Sequence, residues 1–394
     1  MHDMDSNISL IVSISLIILF SPFFAKVLKL PTTPIEIVAG SILGYFGYIH
    51  DEEIFKVLSE FGFLYLMFIA GTEINLKRYL KTPKTILKRV FFYLLTLYTF
   101  SFAFSLYFDL GKIFMVLLPL ISVGLIASLS KEYGKTNWLE VSMITGSIGE
   151  VASIGILTLT SAALQNGFEA DFFKTVLSLF LFIVGMFIIF RAIGILFWWY
   201  PKLSLMLMPH KDNQEQDIRL SMAIFFLLIA SMMYLNLELA FGAFLAGIFI
   251  PTFFEHKKDL ETKLSSYGFG FLIPIFFIYI GYSFDLNALQ INGLIGLSLT
   301  IAFLMIFMRV VSSLIFIKKL GFSDSILLGL SHSMPLTLLI AMATLAYLAN
   351  SIDKLHYYAF ILAALFQVII VMTLIKLIII YQKKHPEIFE MKKN

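Results

Sequence analysis

Two ionisable residues stand inside apolar stretches long enough to cross a bilayer. Glu150 lies in TGSIGEVASIG and Arg309 in IAFLMIFMRVVSS. A charge in hydrocarbon is expensive, so such residues point to function by default. The plainest alternative is a structural pair, with Arg309 neutralising Glu150 between packed helices. The neighbours of Glu150 point further. Gly146, Ser147, Gly149, Ala152, Ser153 and Gly155 allow close helix approach and leave room for a hydrated ion. Burial disfavours a charged carboxylate and a cationic neighbour favours it. A group under those opposed influences suits proton uptake and release.

Two further clusters suggest interrupted helices. One is FMVLLPLISVGLIASLSKEYG, with Pro119, Ser122 and Gly124 close together. The other is ILLGLSHSMPLTLLIAMATLAYLAN, which gathers Gly329, Ser331, His332, Ser333, Pro335 and Thr337. Proline removes a backbone donor and clashes with the preceding turn. The carbonyls and half-helix ends freed at such breaks can hold ions within a membrane. No calcium loop or zinc quartet is present, so no fixed structural metal and no cofactor are expected. Oxygen ligands from backbone, Ser, Thr and one carboxylate suit Na⁺ or K⁺ in transit near Glu150 and Ser122.

Other polar residues have plainer readings. Glu73 and Asp285 end apolar segments, where caps or vestibule charges are ordinary; Glu36 and Glu60 also sit near segment ends. His332 is either a pH-sensitive group or a hydrogen-bonded packing histidine. Arg191 and Lys376 can snorkel to an interface, and Trp198 to Tyr200 form an aromatic belt. No GxxxxGK[ST] or GxGxxG opens a soluble unit, so ATP hydrolysis by this chain is excluded.

The elements that position these residues follow from composition. Of 394 residues, 59% are hydrophobic, 14% are charged and 42 are phenylalanine. Ordinary soluble domains run near 45–50% apolar and about 25% charged. Disorder and a collagen-like fibre are excluded, and with no cysteine there is no disulfide scaffold or thiol chemistry. The net charge of +3 is spread along the chain, which argues against nucleic acid. Apolar runs predict thirteen crossings: 8–28, 34–49, 57–75, 86–108, 113–130, 139–164, 173–200, 218–235, 237–253, 265–284, 290–317, 324–349 and 355–380. The fold class is therefore an all-α polytopic membrane protein. The opening MHDMDSN lacks the basic region of a signal peptide, so the first segment is read as a retained crossing.

The basic residues set an orientation. Four Lys lie in loops on the N-terminal side, twenty-two Lys and Arg on the other, and Arg191, Arg309 and Lys376 within segments. The positive-inside rule then places the N-terminus outside and the C-terminus in the cytoplasm.

An internal echo links the third and tenth segments. FGFLYLMFIAGTEINL (61–76) and FGFLIPIFFIYIGYSFDLNAL (269–289) both follow Phe-Gly-Phe with a later glycine, Gly71 or Gly281, and a polar exit with Asn75 or Asp285. AGSILG from Ala39 and AGIFIP from Ala246 repeat more faintly. The offsets are near 210 and 207 residues, and seven crossings separate each pair. Units entering from opposite sides make an inverted-topology repeat, a secondary-transporter pattern. The expected organisation is a first repeat over 1–164, a linker helix and cytoplasmic loop over 165–217, a second repeat over 218–380 and a short tail over 381–394.

LKLPTTPIEIVAGSILG (28–44), LSEFGFLYLMFIAGTEINL (58–76), IPIFFIYIGYSFDL and Arg309 together resemble the second branch of the bacterial monovalent cation:proton antiporter family. That family includes Na⁺/H⁺ antiporters and glutathione-gated K⁺ efflux systems. The resemblance runs from residue 8 to about 380. It implies two crossed, unwound helices on segments 5 and 12 and a dimerisation part, hence a homodimer. It also places Glu150 on the essential membrane carboxylate and Arg309 on the membrane Lys or Arg. The chain departs from the pattern at Gly149, where relatives have Asp or Gln, at Ser122-Val123-Gly124 and at Met334-Pro335. No nucleotide-sensing domain follows, so regulation of the K⁺-efflux kind would need a separate subunit.

The expected function is exchange of Na⁺ or K⁺ for H⁺ across the cytoplasmic membrane, transport rather than enzymatic catalysis. Glu150 would bind proton or cation, and Arg309 would hold it charged. Alternatives are an organic-anion transporter, an ion channel and a non-transport scaffold. An Arg309 without a paired carboxylate would favour the anion transporter.

Overall fold

The computed structural model describes residues 2–384 apart from 29, 51, 75–81, 109–110, 112, 135, 167–169, 201, 204–205, 207–214 and 255–256. Asn75, most of the loop after Tyr200 and most of the 381–394 tail therefore lie outside the described residues. Among the described residues all regular structure is helical.

In chain order the helices are α1 (His2–Leu28), α2 (Thr32–Tyr45), α3 (Glu53–Thr72), α4 (Lys84–Tyr107), α5 (Phe114–Leu117), α6 (Gly124–Tyr133), α7 (Asn137–Asn166) and α8 (Ala170–Trp199). There follow α9 (Gln216–Tyr234), α10 (Leu239–Phe253), α11 (Lys258–Tyr267), α12 (Ile273–Ser283), α13 (Leu294–Ser313), α14 (Ile317–Leu320), α15 (Phe322–Ser331), α16 (Leu336–Leu348) and α17 (Lys354–Lys384). Nine described spans are long and apolar enough to cross a membrane. The remaining expected crossings, the second, fifth, ninth and twelfth, are short or broken. α2 has 14 residues and α10 has 15. The fifth is split into α5 and α6, and the twelfth into α15 and α16. Length alone therefore does not establish thirteen.

The chain divides into two compact units, and each draws on both halves of the sequence. One comprises 1–80 and 158–287, the other 81–157 and 288–394. This division cuts across the expected 1–164 and 218–380 repeats.

In the first unit the most extensive packing joins α3 to α10 and α2 to α12. Both contacts are built on glycine. A methyl group on Gly71 would strike the carbonyl oxygen of Phe244, and one on Gly247 the carbonyl oxygen of Phe68. In the other pair, a methyl on Gly281 would strike Ile37 O, and one on Gly40 would strike Ile278 O. The two contacts have the same form. Gly71 and Phe68 are each 210 residues before Gly281 and Ile278; Gly40 and Ile37 are each 207 before Gly247 and Phe244. Those are the offsets of the sequence echo. Backbones this close exclude any Cβ, which is how helices associate where lipid is as apolar as leucine. The second Phe-Gly-Phe falls in a π-helical turn, Gly268–Leu272, between α11 and α12. The wider turn absorbs extra chain, so the glycines align better than the Phe-Gly-Phe triplets do.

In the second unit α13 packs against α4, α15 and α17, while α5 packs against α4 and α16. The first arm of one broken helix thus lies on the second arm of the other. This unit holds Glu150 and Arg309.

Overpacking a tight site costs roughly 1–3 kcal/mol, whereas Gly→Ala in an open helix gains up to about 1 kcal/mol. Gly71→Ala and Gly281→Ala should each lower the melting temperature in detergent. Gly185→Ala and Gly296→Ala, where a methyl meets nothing within 4 Å, should leave it unchanged or raise it. Thermal unfolding of the four purified variants checks this.

Candidate functional site

The fifth segment unwinds between Leu117 and Gly124, with Pro119 buried in the gap. Broken backbone cannot stand unpaired in a membrane, and side chains from two other helices satisfy it. Arg309 on α13 is fully buried. Its Nη2 donates to the carbonyl of Leu118 at 2.8 Å and to that of Leu120, and its Nη1 donates to Met305 O at 2.7 Å. The guanidinium therefore rests on the carbonyl end of α5, where a cation is favoured.

Glu150 on α7 does the converse. It is 1% exposed. Its Oε2 accepts from the backbone N–H of Val123 at 3.2 Å, and its Oε1 from Ser122 Oγ at 3.1 Å. Val123 immediately precedes α6, so the carboxylate caps the amide end of that half-helix, where an anion is favoured. One turn on, Ser153 Oγ accepts the N–H of Ile121 at 3.2 Å.

The charge partner expected for Arg309 on segment 6 is not found. Arg309 and Glu150 make no ion pair; each instead satisfies one side of the same break. Main-chain carbonyls already occupy the guanidinium, so no carboxylate is required to hold it. The expectation that Arg309 keeps Glu150 charged by direct contact is corrected accordingly.

Gly149 has a packing role. A Cβ there would lie 2.6 Å from Cδ1 of Ile121. The apolar Ile121 side chain fills the place that Asp or Gln would take, so no second acid stands beside Glu150 on α7.

The same helix reaches the second break. Ser142, Gly146, Gly149, Glu150 and Ser153 follow helical spacing and share one face of α7. Ser142 Oγ accepts from Ser331 Oγ at 3.2 Å, and Ser142 O lies 3.0 Å from His332 Nε2. A carbonyl can only accept, so Nε2 carries the proton. His332 Nδ1 meets the hydroxyl of Tyr93 on α4 at 2.9 Å. In a neutral ring Nδ1 accepts that hydroxyl proton, which is the packing reading of His332. Ser333 Oγ donates back to Gly329 O at 2.8 Å, and Pro335 stands immediately before α16.

Glu73 and Asp285 belong to the other unit. Glu73 is the C-cap of α3, and Asp285 Oδ1 accepts the N–H of Asn287 at 2.9 Å. Both therefore lie at helix ends. Ser153, Ser142 and Tyr93 extend the polar network around the two breaks. The spacing of Ser142 and Ser153 with Glu150 on one helix face was their only sequence signal, and Tyr93 had none.

A membrane-embedded, all-helical chain with a carboxylate and an arginine at a broken helix has the build of a secondary transporter. The sodium/hydrogen exchanger transmembrane family matches residues 12–380, and the chain belongs to that family, whose members are transporters rather than enzymes. The "Putative Na(+)/H(+) antiporter YjbQ" of Bacillus subtilis is 24% identical over 360 residues, 86% of this chain. The chain spans 57% of that relative's own length. The "Probable Na(+)/H(+) antiporter 3" of Methanocaldococcus jannaschii is 27% identical over 320 residues, covering 78% of this chain and 79% of the relative. The solved structure of the sodium proton antiporter MjNhaP1 from Methanocaldococcus jannaschii superposes with a TM-score of 0.62. It has 16% identity and covers 100% of this chain and 99% of that one, so the likeness is one of fold.

Arginine's planar fork is preorganised to meet carbonyls in different directions, whereas lysine must order a flexible stem to place its compact ammonium. Arg309→Lys should cut the yield of folded protein, and Arg309→Leu should cut it further by leaving the break's carbonyls unpaired. Fluorescence size-exclusion chromatography of tagged variants measures this; a wild-type monodisperse peak from the Leu variant would contradict it.

Proposed function

We propose that this chain exchanges Na⁺ or K⁺ for H⁺ across the cytoplasmic membrane, one cation for one proton, with Glu150 as the exchanging group. The observation that carries the reading is the buried Glu150 carboxylate at the amide end of a half-helix, with Ile121 filling the neighbouring position on α7. Ser122 donates its proton to Glu150 at 3.1 Å, which sets the hydroxyl directly against the carboxylate. The loaded states are then a protonated Glu150, or a Glu150 carboxylate binding a cation with Ser122, main-chain oxygens and water. Arg309 fixes the carbonyl end of the break in both states.

The sequence criterion for an anion transporter was an arginine without a carboxylate partner. Arg309 meets it in the literal sense, yet both of its Nη atoms already donate to main-chain carbonyls. Family membership and the buried carboxylate beside the break both support cation exchange. The excess of Lys and Arg on one side supports an outside N-terminus, and the matched glycine contacts support an inverted repeat. The family resemblance supports a homodimer.

One carboxylate that is either protonated or cation-bound moves no net charge per cycle. The roughly 2.3 kcal/mol per charge per 100 mV of membrane potential then does not drive exchange. In proteoliposomes with an internal pH dye and the potential clamped by valinomycin, Na⁺-driven proton flux should be the same at either sign of potential. Glu150→Gln should abolish flux, and Glu150→Asp should retain part of it with weaker cation affinity. A rate or end-point that follows the potential, or full activity in the Gln variant, overturns the one-carboxylate mechanism.

A further inference from the structure

α15 packs against α17 in the second unit, and the start of one meets the end of the other. Gln382, near the close of α17, fixes that meeting. Its amide nitrogen donates to Ser323 Oγ at 2.9 Å and to Asp324 Oδ1 at 3.0 Å, both in the first turn of α15. The sequence puts this level at a membrane boundary, because the twelfth apolar segment begins at 324 and the thirteenth ends at 380.

On the membrane side of this clamp the two helices leave a groove of about 530 Å³, lined by Phe322, Ser323, Ile326, Leu377, Ile378 and Tyr381. The spacing is the same on both helices: 322, 323 and 326 on α15, and 377, 378 and 381 on α17. Each set is one turn of a helix face, about 6 Å of depth at 1.5 Å per residue. Apart from the Ser323 and Tyr381 hydroxyls the lining is apolar, and Ser323 accepts from Gln382. The groove opens outward, since Phe322 is 55% exposed, Leu377 57% and Tyr381 52%. Its volume falls within the roughly 300–1,000 Å³ of ordinary ligand pockets.

Basic residues stand at the outer end of the groove. Lys384 lies three residues past Tyr381 and seven past Leu377, so it continues the same helix face about 4.5 Å further out, and it is exposed. Lys318 and Lys319 on α14 precede Phe322 by four and three residues and are also exposed; α14 packs against α15. Lys319 is shared with Arg89 of α4 and Glu140 of α7. Among the described residues, neither Lys318 nor Lys384 makes an ion pair. Asp324 is the acid at this level, and one of its oxygens is taken by Gln382.

An empty apolar groove forfeits contacts along its whole lining, so something apolar fills it. A second copy seated there about a two-fold axis would set the same lysines against one another. A phospholipid meets no such conflict, because its acyl chain matches the groove and its phosphate sits at the level of the lysines. A zwitterionic headgroup carries its own cation and gains less from two lysines than an anionic one. We propose that the α15–α17 groove binds an anionic phospholipid, with one acyl chain in the groove and the headgroup phosphate at Lys318 and Lys384. The bound lipid ties α15, the first arm of the second break, to α17. This site requires neither the exchange chemistry of Glu150 nor its stoichiometry.

The test titrates full-length protein in detergent with dioleoyl phosphatidylglycerol or dioleoyl phosphatidylcholine and follows the first bound lipid by native mass spectrometry. Wild type should bind phosphatidylglycerol in preference. Lys318→Gln and Lys384→Gln should each weaken phosphatidylglycerol binding about fivefold, the effect of one basic residue near a charged surface, and leave phosphatidylcholine binding unchanged. Leu377→Trp, at an exposed position where the larger side chain fills the groove, should weaken binding of both lipids. Phosphatidylglycerol should raise the melting temperature of wild type and not that of Leu377→Trp. Wild-type lipid binding in the folded lysine variants overturns the proposal, as does equal binding of the two lipids by wild type. If wild type binds neither lipid better than Leu377→Trp does, the groove is covered by another segment of the chain or a second copy, and the proposal falls.

Discussion

A helix broken inside a membrane leaves amide and carbonyl groups that lipid cannot satisfy. The gap between Leu117 and Gly124 is that problem, and much of the second unit is arranged around it. Arg309 answers on the carbonyl side, Glu150 and Ser153 on the amide side. Each ionic side chain thereby gains a dipole of opposite sign without an ion pair. Had the guanidinium and carboxylate paired directly, both sides of the break would have lost a partner. Separate anchorage satisfies both, and under the exchange proposed above it leaves Glu150 open to a cation.

The first unit follows another principle. Its helices are held by close backbone approach at Gly40, Gly71, Gly247 and Gly281, where no Cβ fits. The second unit instead contains the two broken helices and, among the described residues, most of the buried polar atoms without a hydrogen-bond partner. Close backbone approach and helix breaks are thus allotted to different parts of the chain, although both parts are assembled from both halves of the sequence.

The membrane class, the positions of the breaks and the pairing of Ser122 with Glu150 were legible in the sequence. Proline, glycine and a charged residue in an apolar run each carry a direct physical signal. The 210- and 207-residue offsets were legible too, and reappear as matched glycine contacts. What Arg309 touches was not, because main-chain carbonyls have no letter in a sequence, whereas Glu150 is conspicuous inside an apolar run. Nor could the interleaved units be read, since contacts between segments 200 residues apart leave no local pattern. Gln367, fully buried and without a hydrogen-bond partner for its amide, is illegible for a related reason, since a single glutamine among apolar residues says nothing of its surroundings.

The bonds from Arg309 to Leu118 and Leu120 span 191 and 189 residues of sequence. At roughly 5–20 residues per second of synthesis, the broken helix emerges about 10–40 s before the arginine that completes it. During that interval its carbonyls must find water, headgroups or the insertion machinery. The N-terminal half therefore has no finished form of its own. Biogenesis has an obligatory late step, the docking of α13, and a ribosome that stalls before Arg309 leaves a membrane-inserted intermediate exposed to quality control.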